Sequence, residues 1–518
     1  MLSLTQIKKA GRAAGKYAAL QGASMVANEI LQRKIKTSKA PVLCPGDYPP
    51  DPQTYQDVQD YRGIALESEL PKALRKKRKG SLPLGSYVYP CDGNRQSALY
   101  LTDDIIQRHV AVFGSTGSGK TNSIIIPWVD NIIKQGHSIV LVDVIGEFRD
   151  ILEKTATKAG CRIWHWSNID MDNSDVWNWF DEIDLKDRDC DKYVNGLVDS
   201  ILGENKYGKD IFFHERNKRW LRAATFVLKK TQPKQAKPSE LYKILTDQQR
   251  LKKLANLTSY SRDLSDLINL DDYSNQCSGL LNSLYFFITE RVKNICEPTK
   301  DNWKRQRINL SDFTSRQTLF IIGASLEGGE ESKVLSGIAL NLVTERLCNR
   351  FKQTNLQQNV RKLSTNKTAP LYFIVDEAPR LQDRVNFDEH LSVLRHANVR
   401  MCLAAQDVSQ LEDKNNKNKD IFANCNTLIV MRGCSPSTTE YFSKRLGKRI
   451  AQSVDTSYET GDSTFISTKD KGIKSESVPV LSEREIMHPP ESCGEYCAVV
   501  KIPGQQKPFL VDLKRKIK

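Results

Sequence analysis

The segment Gly114-Ser115-Thr116-Gly117-Ser118-Gly119-Lys120-Thr121 constrains the fold more than any other stretch of this chain. It has the form GxxxxGK[ST], a loop in which glycines let the backbone turn tightly so that its N–H groups point inward at phosphate oxygens. Lys120 would neutralise the β and γ phosphates, and the Thr121 hydroxyl would join a Mg²⁺ shell. Its setting matters as much as its letters. HVAVF before the loop reads as a buried strand, and NSIIIPWVDNIIKQG after it reads as a helix ended by Gly136. HSIVLVD then gives a second apolar strand ending in Asp143. Strand, loop, helix and strand in that order predict an α/β fold with a mainly parallel central sheet flanked by helices.

A third apolar strand, LYFIVDE, ends in Asp376 and Glu377. Asp376 is placed to hold Mg²⁺ directly or through a water, and Glu377 to polarise the attacking water as general base. A strand ending in Asp-Glu is unspecific by itself. Behind a complete phosphate loop, the pair points to hydrolysis rather than to binding alone. The next apolar strand, VRMCLAAQ, ends in Gln406, whose amide reads equally as a γ-phosphate sensor or as a strand-end hydrogen bonder. Hydrolysis also needs positive charge on the γ-phosphate, often an arginine from a neighbouring subunit. Arg380, Arg384, Arg395, Arg400 and Arg432 are candidates between which periodicity does not choose.

A chain of 518 residues predicts more than one domain. Residues 1–80 read as a basic helical segment and a Pro/Asp-rich linker, with a charged cluster at Arg75, Lys76, Lys77, Arg78 and Lys79. Residues 81–184 hold the first part of the nucleotide-binding domain, opened by short strands in GSYVYP and ALYLTDD. Residues 185–310 change character: KYVNGLVDSIL, NKRWLRAATFVLKK and GLLNSLYFFITERVKNI carry helical periodicity without intervening strands, an inserted all-α domain. Residues 311–518 resume the sheet pattern, with QTLFIIGA, a helix over 331–352, a polar linker, the two site strands, NTLIVMR and a C-terminal tail. The polar stretch from 455 to 475 is expected to be a mobile loop.

Lys and Arg together outnumber Asp and Glu by 77 to 62, and the formal charge of +15 suits a polyanionic partner, nucleic acid first and an anionic membrane surface second. The twelve cysteines are scattered, without a CxxC, and read as buried free thiols in a reducing cytoplasm. No apolar window is long enough for a transmembrane helix. Leu4, Ile7, Ala10, Ala14, Tyr17 and Ala18 fall at helical spacing in a basic N-terminus; such a helix could lie on a membrane, dock to a partner or simply pack.

Taken in order, these motifs resemble the type IV coupling proteins of conjugation and type IV secretion. GSTGSGKTNSIIIP is similar to the family's phosphate loop with its downstream Ile-Pro, and HSIVLVDVIGEF to its second strand, with Asp143, Gly146 and Glu147. Trp177-Asn178 matches the Trp-Asn before the family's helical domain. LYFIVDEAPRL resembles its Walker B strand, AAQDVSQL its glutamine segment and TTEYFSKRLG the stretch that follows. The likeness runs from about residue 85 to 510. It departs at Val144 and Ile145, where a Lys commonly precedes Gly-Glu, at Asp407, where Ser commonly follows the glutamine, and in lacking two transmembrane helices.

The resemblance implies a RecA-like P-loop NTPase that uses ATP with Mg²⁺ and works as a ring, usually hexameric. It implies that the helical insertion receives a relaxase–DNA complex, and it selects Arg395 as the arginine acting in trans. The expected function is an ATP-hydrolysing DNA translocase delivering DNA, single-stranded and bound without sequence preference, to a type IV secretion channel or membrane partner. The expected location is cytoplasmic, peripheral at the inner membrane. A soluble helicase-like motor without a secretion role, and a nucleotide-dependent adaptor for protein substrates, are the alternatives.

Overall fold

A computed structural model describes residues 42–43, 59–60, 63–89, 95–203, 211–313, 315–324, 329–360, 369–381, 387–410, 424–458 and 468–513. The helical pattern at residues 4–18 lies outside the described residues. In chain order the strands are β1 (Val42–Leu43), β2 (Gln59–Asp60), β3 (Leu82–Val88), β4 (Arg95–Leu101), β5 (Val110–Phe113), β6 (Ser138–Asp143), β7 (Arg162–Ser167) and β8 (Thr318–Gly323). They continue with β9 (Leu371–Val375), β10 (Val399–Ala405), β11 (Thr427–Met431), β12 (Lys448–Tyr458), β13 (Thr468–Pro479), β14 (Cys497–Lys501) and β15 (Phe509–Asp512).

Eleven of these form one sheet in the order β4-β3-β15-β14-β11-β5-β10-β9-β6-β8-β7. From β11 to β7 every pairing is parallel, and from β11 to β4 every pairing is antiparallel. The strand carrying Gln406 therefore lies between the strand that leads into the phosphate loop and the strand that ends at Asp376 and Glu377. All three of these parallel strands end on the same edge, where open α/β sheets bind ligands.

The apolar runs are continuous because both faces of the parallel strands are covered. Along β5, Val110 and Val112 join one apolar cluster while Ala111 and Phe113 join the other, and β6, β8, β9 and β10 alternate in the same way. One face is covered by helices Ile126–Lys134 and Phe148–Lys158, the other by helices Gly329–Val360, Phe387–His396 and Pro436–Leu446. The helix expected over 331–352 thus runs on to Val360. Ile64, Ala65, Leu70 and Leu74 are buried, and Tyr87 donates from its hydroxyl to the Ala65 carbonyl at 2.9 Å, so this part of the first 80 residues packs on the sheet.

Between β7 and β8 the described elements are helical, from Cys190–Leu202 to Glu290–Cys296, with a single isolated bridge between Val176 and Arg307. Where this segment leaves the sheet, Trp166 meets Trp177 and Trp179 edge-on, with ring centroids 6.1 Å apart in both pairs. Glu182 ties its two connections together. Its Oε1 accepts from Trp177 Nε1 at 2.9 Å on the way in and from Leu310 N at 2.8 Å on the way out. Although the residue keeps some exposure, its carboxyl head points inward, and burial pushes it up to about 7 against those two hydrogen bonds. The folded protein therefore holds this proton more tightly than the unfolded chain. The stabilisation is complete below the ordinary carboxyl value of 4.5 and is lost as pH rises through about 7. Glu182→Gln keeps the accepting oxygen and never ionises. In urea melts it is expected to lie within about 1 kcal/mol of the wild type at pH 5 and to exceed it by about 2–3 kcal/mol at pH 8. A gain that is the same at both pH values would rule out this account.

Two regions depart from the sequence reading. Residues 455–475 are not simply a loop: β12 and β13 pair antiparallel from Lys448↔Pro479 to Tyr458↔Thr468 as a separate two-stranded ribbon. A ribbon outside the main sheet needs no apolar face, so its strands lack the alternation that marks core strands. Residues 497–512, to which the sequence reading assigned no element, form β14 and β15 and extend the sheet beside β11.

Candidate nucleotide-binding site

The loop from Gly114 to Thr121 crosses the end of β5 and enters the helical turn Thr121–Ile125, which continues as helix Ile126–Lys134. Gly114 N donates to Ala405 O at 3.2 Å, which fastens the loop's first residue to the end of β10. Gly117 and Gly119 take φ of 77° and 89°, the left-handed region where a side chain is costly. Two glycines are also needed for space. A Cβ on Gly114 would meet Ser118 Oγ at 2.4 Å, and one on Gly119 would meet the Tyr496 ring at 2.6 Å. Tyr496 precedes β14 and comes from far along the chain, so nothing in the loop's own sequence announces it.

Lys120 is buried, with its ammonium turned back on the loop: Nζ donates to Gly114 O at 2.5 Å and to Ser115 O at 3.4 Å and lies 3.8 Å from Glu377 Oε1. Thr121 Oγ1 donates to Asp376 Oδ2 at 3.3 Å. Gln406 bridges the two sides of the site, accepting from Thr116 Oγ1 at 3.1 Å and donating from Nε2 to Glu377 Oε1 at 3.1 Å. The phosphate loop and both carboxylates thus converge on one point, with Gln406 between them. Glu377 has φ of 54°, an uncommon conformation for a residue with a side chain, which turns the carboxylate off the strand and into this space.

The donor set suits a cation and an anion together. Asp376 Oδ1, Glu377 Oε2 and Ser123 Oγ are buried without a hydrogen-bond partner, although buried polar atoms in folded proteins are nearly always satisfied. Burial and the neighbouring Glu377 charge push the Asp376 carboxyl up to about 6, against the attraction of Lys120 and the hydrogen bond from Thr121. A bound divalent cation would supply the charge that this pair of acids lacks.

Other residues singled out in the sequence have structural assignments. Asp143 accepts from Ile145 N, Gly146 N and Phe148 N, so its carboxylate shapes the turn into helix Phe148–Lys158. Asp407, standing where serine was expected, accepts from Ser409 N at 2.8 Å and from Ser437 Oγ at 2.7 Å. Burial opposes its ionisation, but hydrogen bonds from Ser435, Ser437 and Ser409 outweigh that and hold the carboxyl below its ordinary range. Among the arginines, Arg400 is used within the fold, with Nε and Nη2 each 2.7 Å from a different oxygen of Asp103. Arg432 follows β11 on the site edge, and Arg395 is exposed at the end of helix Phe387–His396, on the opposite edge. Arg395 lies four residues before β10 begins, at the end of that strand away from Gln406, whereas the phosphate loop follows β5 on the Gln406 edge. The Arg380 and Arg384 side chains lie outside the described residues.

A phosphate loop on a mainly parallel sheet, with the glutamine strand between it and the Asp-Glu strand, defines a RecA-like P-loop nucleotide-binding protein. A family model described as type IV secretory system conjugative DNA transfer matches residues 65–493, so the chain belongs to that family of conjugative DNA-transfer coupling proteins. No curated protein sequence matches the chain. Among solved structures, the bacterial conjugative coupling protein TrwB in its unbound form is similar in fold, with TM-score 0.60 and 17% identity over 88% of this chain and 93% of that one. TrwB in complex with ADP and Mg²⁺ has TM-score 0.58 and 18% identity over the same shares, and so has TrwB with a non-hydrolysable ATP analogue.

Proposed function

We propose that this coupling protein hydrolyses ATP with Mg²⁺ and uses the turnover to move DNA toward a type IV secretion channel. The observation that carries the hydrolytic reading is Glu377. Its turn at positive φ sets Oε1 beside Lys120 and Gln406 Nε2 and leaves the other carboxylate oxygen, Oε2, buried without a partner. A protein that only bound nucleotide would have no use for this second acid.

In this reading Mg²⁺·ATP supplies the electrophilic γ-phosphorus. Backbone N–H groups of Gly114, Ser115, Thr116, Gly117, Ser118 and Gly119 line the phosphates. Lys120 exchanges the Gly114 carbonyl for phosphate oxygens, and Thr121 and Asp376 hold the cation. Glu377 takes the proton of the attacking water. Gln406, joined to both the loop and Glu377, reports the state of the γ-phosphate. Arg395 of a neighbouring subunit compensates charge; its distance from its own loop favours a role in trans, and a ring of six such subunits provides it. Coordination requires ionised Asp376, so nucleotide binding near pH 6 is expected to release a proton. Calorimetric titrations in buffers of different ionisation enthalpy measure that release; binding with no proton exchange there would contradict Asp376 as the ligand.

The charge of +15 suits a polyanionic cargo gripped through phosphates, for which single-stranded DNA and a relaxase attached to it are the proposed partners. No helix among the described residues is long and apolar enough to cross a membrane, and we place the motor peripherally at the cytoplasmic face of the inner membrane. Steady-state ATP hydrolysis with single-stranded, duplex or no DNA tests the proposal. Stimulation by DNA that weakens steeply between 50 and 200 mM salt, a consequence of counterion release, is the expected result. Turnover indifferent to DNA would favour the adaptor for protein substrates.

A further inference from the structure

We infer that His109 is a positioning residue for Arg395, holding the helix of the trans-acting arginine to the strand that carries the phosphate loop. The inference rests on the proposal that Arg395 serves a neighbouring subunit. His109 stands immediately before β5, is 1% exposed and has φ of 61°. Such a conformation persists in a residue with a side chain only where the surroundings impose it. Its backbone N–H donates to Ile106 O at 2.9 Å, and its carbonyl accepts from Thr427 N at 3.3 Å.

The ring makes the connection. Met401 N donates to Nδ1 at 3.2 Å, so that nitrogen carries no proton, and Nε2 bears the hydrogen that is donated to Leu391 O at 2.8 Å. Burial and the charges of Arg395 and Arg400 push the imidazole down to about 4, against the hydrogen bond to Leu391, which keeps it neutral and in this tautomer. Leu391 lies in helix Phe387–His396, one turn before Arg395, and its carbonyl is the α-helical acceptor for Arg395 N. The imidazole therefore grips the turn from which Arg395 projects, while Leu391 and Leu394 are fully buried beside it.

One side chain thus joins three elements of the machinery. These are β5, whose far end is Gly114; β10, which runs from the Met401 contact to Gln406; and the helix bearing Arg395. A movement of the phosphate loop strand is carried to the arginine that reaches the next site, and without the ring the two can slip apart. The bond spans 282 residues of sequence, so no local motif reveals it.

Two substitutions separate this role from simple backbone strain. In His109→Asn the amide stands near Nδ1 and loses the reach to Leu391, but Asn tolerates positive φ. In His109→Gln the amide reaches as far as Nε2 and restores the donor to Leu391, but Gln tolerates positive φ less well. Strain alone makes Asn the better replacement; positioning makes Gln the better one. We expect kcat in His109→Asn to fall roughly tenfold or more, in His109→Gln to stay within about threefold, and binding of a fluorescent ATP analogue to be unchanged in both.

Mixed oligomers give the second reading. Lys120→Ala subunits, with their His109–Leu391 bond intact, are expected to restore turnover to His109→Asn subunits above the sum of the two alone. Arg395→Ala subunits mixed in the same way are the control. Recovery in the control but not in the His109 mixture, or a His109→Gln variant as slow as His109→Asn, overturns the inference. Wild-type kcat in Arg395→Ala overturns the trans-arginine reading itself, and this inference with it. If His109→Asn does not fold, His109→Gly, which accepts the backbone angle and removes both ring bonds, takes its place with the same expected loss and recovery.

Discussion

Glu377→Gln is expected to bind ATP at least as tightly as the wild type and to turn it over roughly 10²- to 10⁴-fold more slowly. The substitution is nearly isosteric, so the turn at φ 54° is no more strained than before, and the amide oxygen can still accept from Gln406 Nε2. What disappears is the carboxylate oxygen that has no partner in the folded protein and would receive the proton of the attacking water. Binding is spared for an electrostatic reason. The Glu377 charge is one of the causes that raise the Asp376 carboxyl, so neutralising it lets Asp376 ionise more readily and hold the cation more firmly. Anisotropy of a fluorescent ATP analogue and steady-state phosphate release separate the two effects. Wild-type turnover in this variant would remove Glu377 as the base, and lost binding would make it a ligand instead.

The inner strands of the parallel part of the sheet were legible because each is buried on both faces and so is written as an unbroken apolar run. HVAVF, LYFIVDE and VRMCLAAQ, moreover, end at residues whose chemistry belongs to the site. The strand Arg162–Ser167 escaped notice because RIWHWS interleaves polar residues with tryptophans. His165 and Ser167 are nevertheless buried, their backbone N–H groups held by Asp175 Oδ2 and Ser174 Oγ. The ribbon at 448–479 escaped for a different reason, since it stands apart from the main sheet and its pairing is set by backbone hydrogen bonds rather than by an apolar face.

At the site, the residue types were legible and their mutual support was not. Asp376, Glu377 and Gln406 could be named from strand ends, but whether Gln406 was a strand-end bonder or part of the site depended on Thr116 and Glu377 both lying 3.1 Å away. Among the candidate arginines, sequence could not tell a buried structural ion pair from an available charge. Arg400 is consumed by Asp103, 297 positions away, whereas Arg395 is exposed. Tyr496 against Gly119 and His109 against Leu391 are contacts of the same kind. They arise where a crossover brings distant elements together, and the residue types involved carry no periodic signal.

Lys120→Ala should fail for the opposite reason to Glu377→Gln, losing nucleotide affinity first and turnover with it. The lysine is buried beside two acids, Glu377 Oε1 lies 3.8 Å from its ammonium, and its charge is one of the influences holding the Asp376 carboxyl down. Removing it subtracts the charge that meets the phosphates and the attraction that lowers the Asp376 carboxyl, so protonation of Asp376 is favoured and cation binding weakens as well. Loss of a charge-assisted contact in a desolvated site costs about 3 kcal/mol, or roughly a hundredfold in affinity, and the coupled loss of cation binding adds to it. Raising ATP about a hundredfold should therefore restore occupancy but not turnover, because the charge that meets the γ-phosphate in the transition state is still missing. The residual affinity in the presence of Mg²⁺ should improve with pH as Asp376 ionises. Equilibrium binding of the fluorescent analogue at pH 6 and pH 8, with and without Mg²⁺, measures both effects. Wild-type affinity in Lys120→Ala would mean that the loop holds phosphate through its backbone alone and that the lysine acts only during turnover.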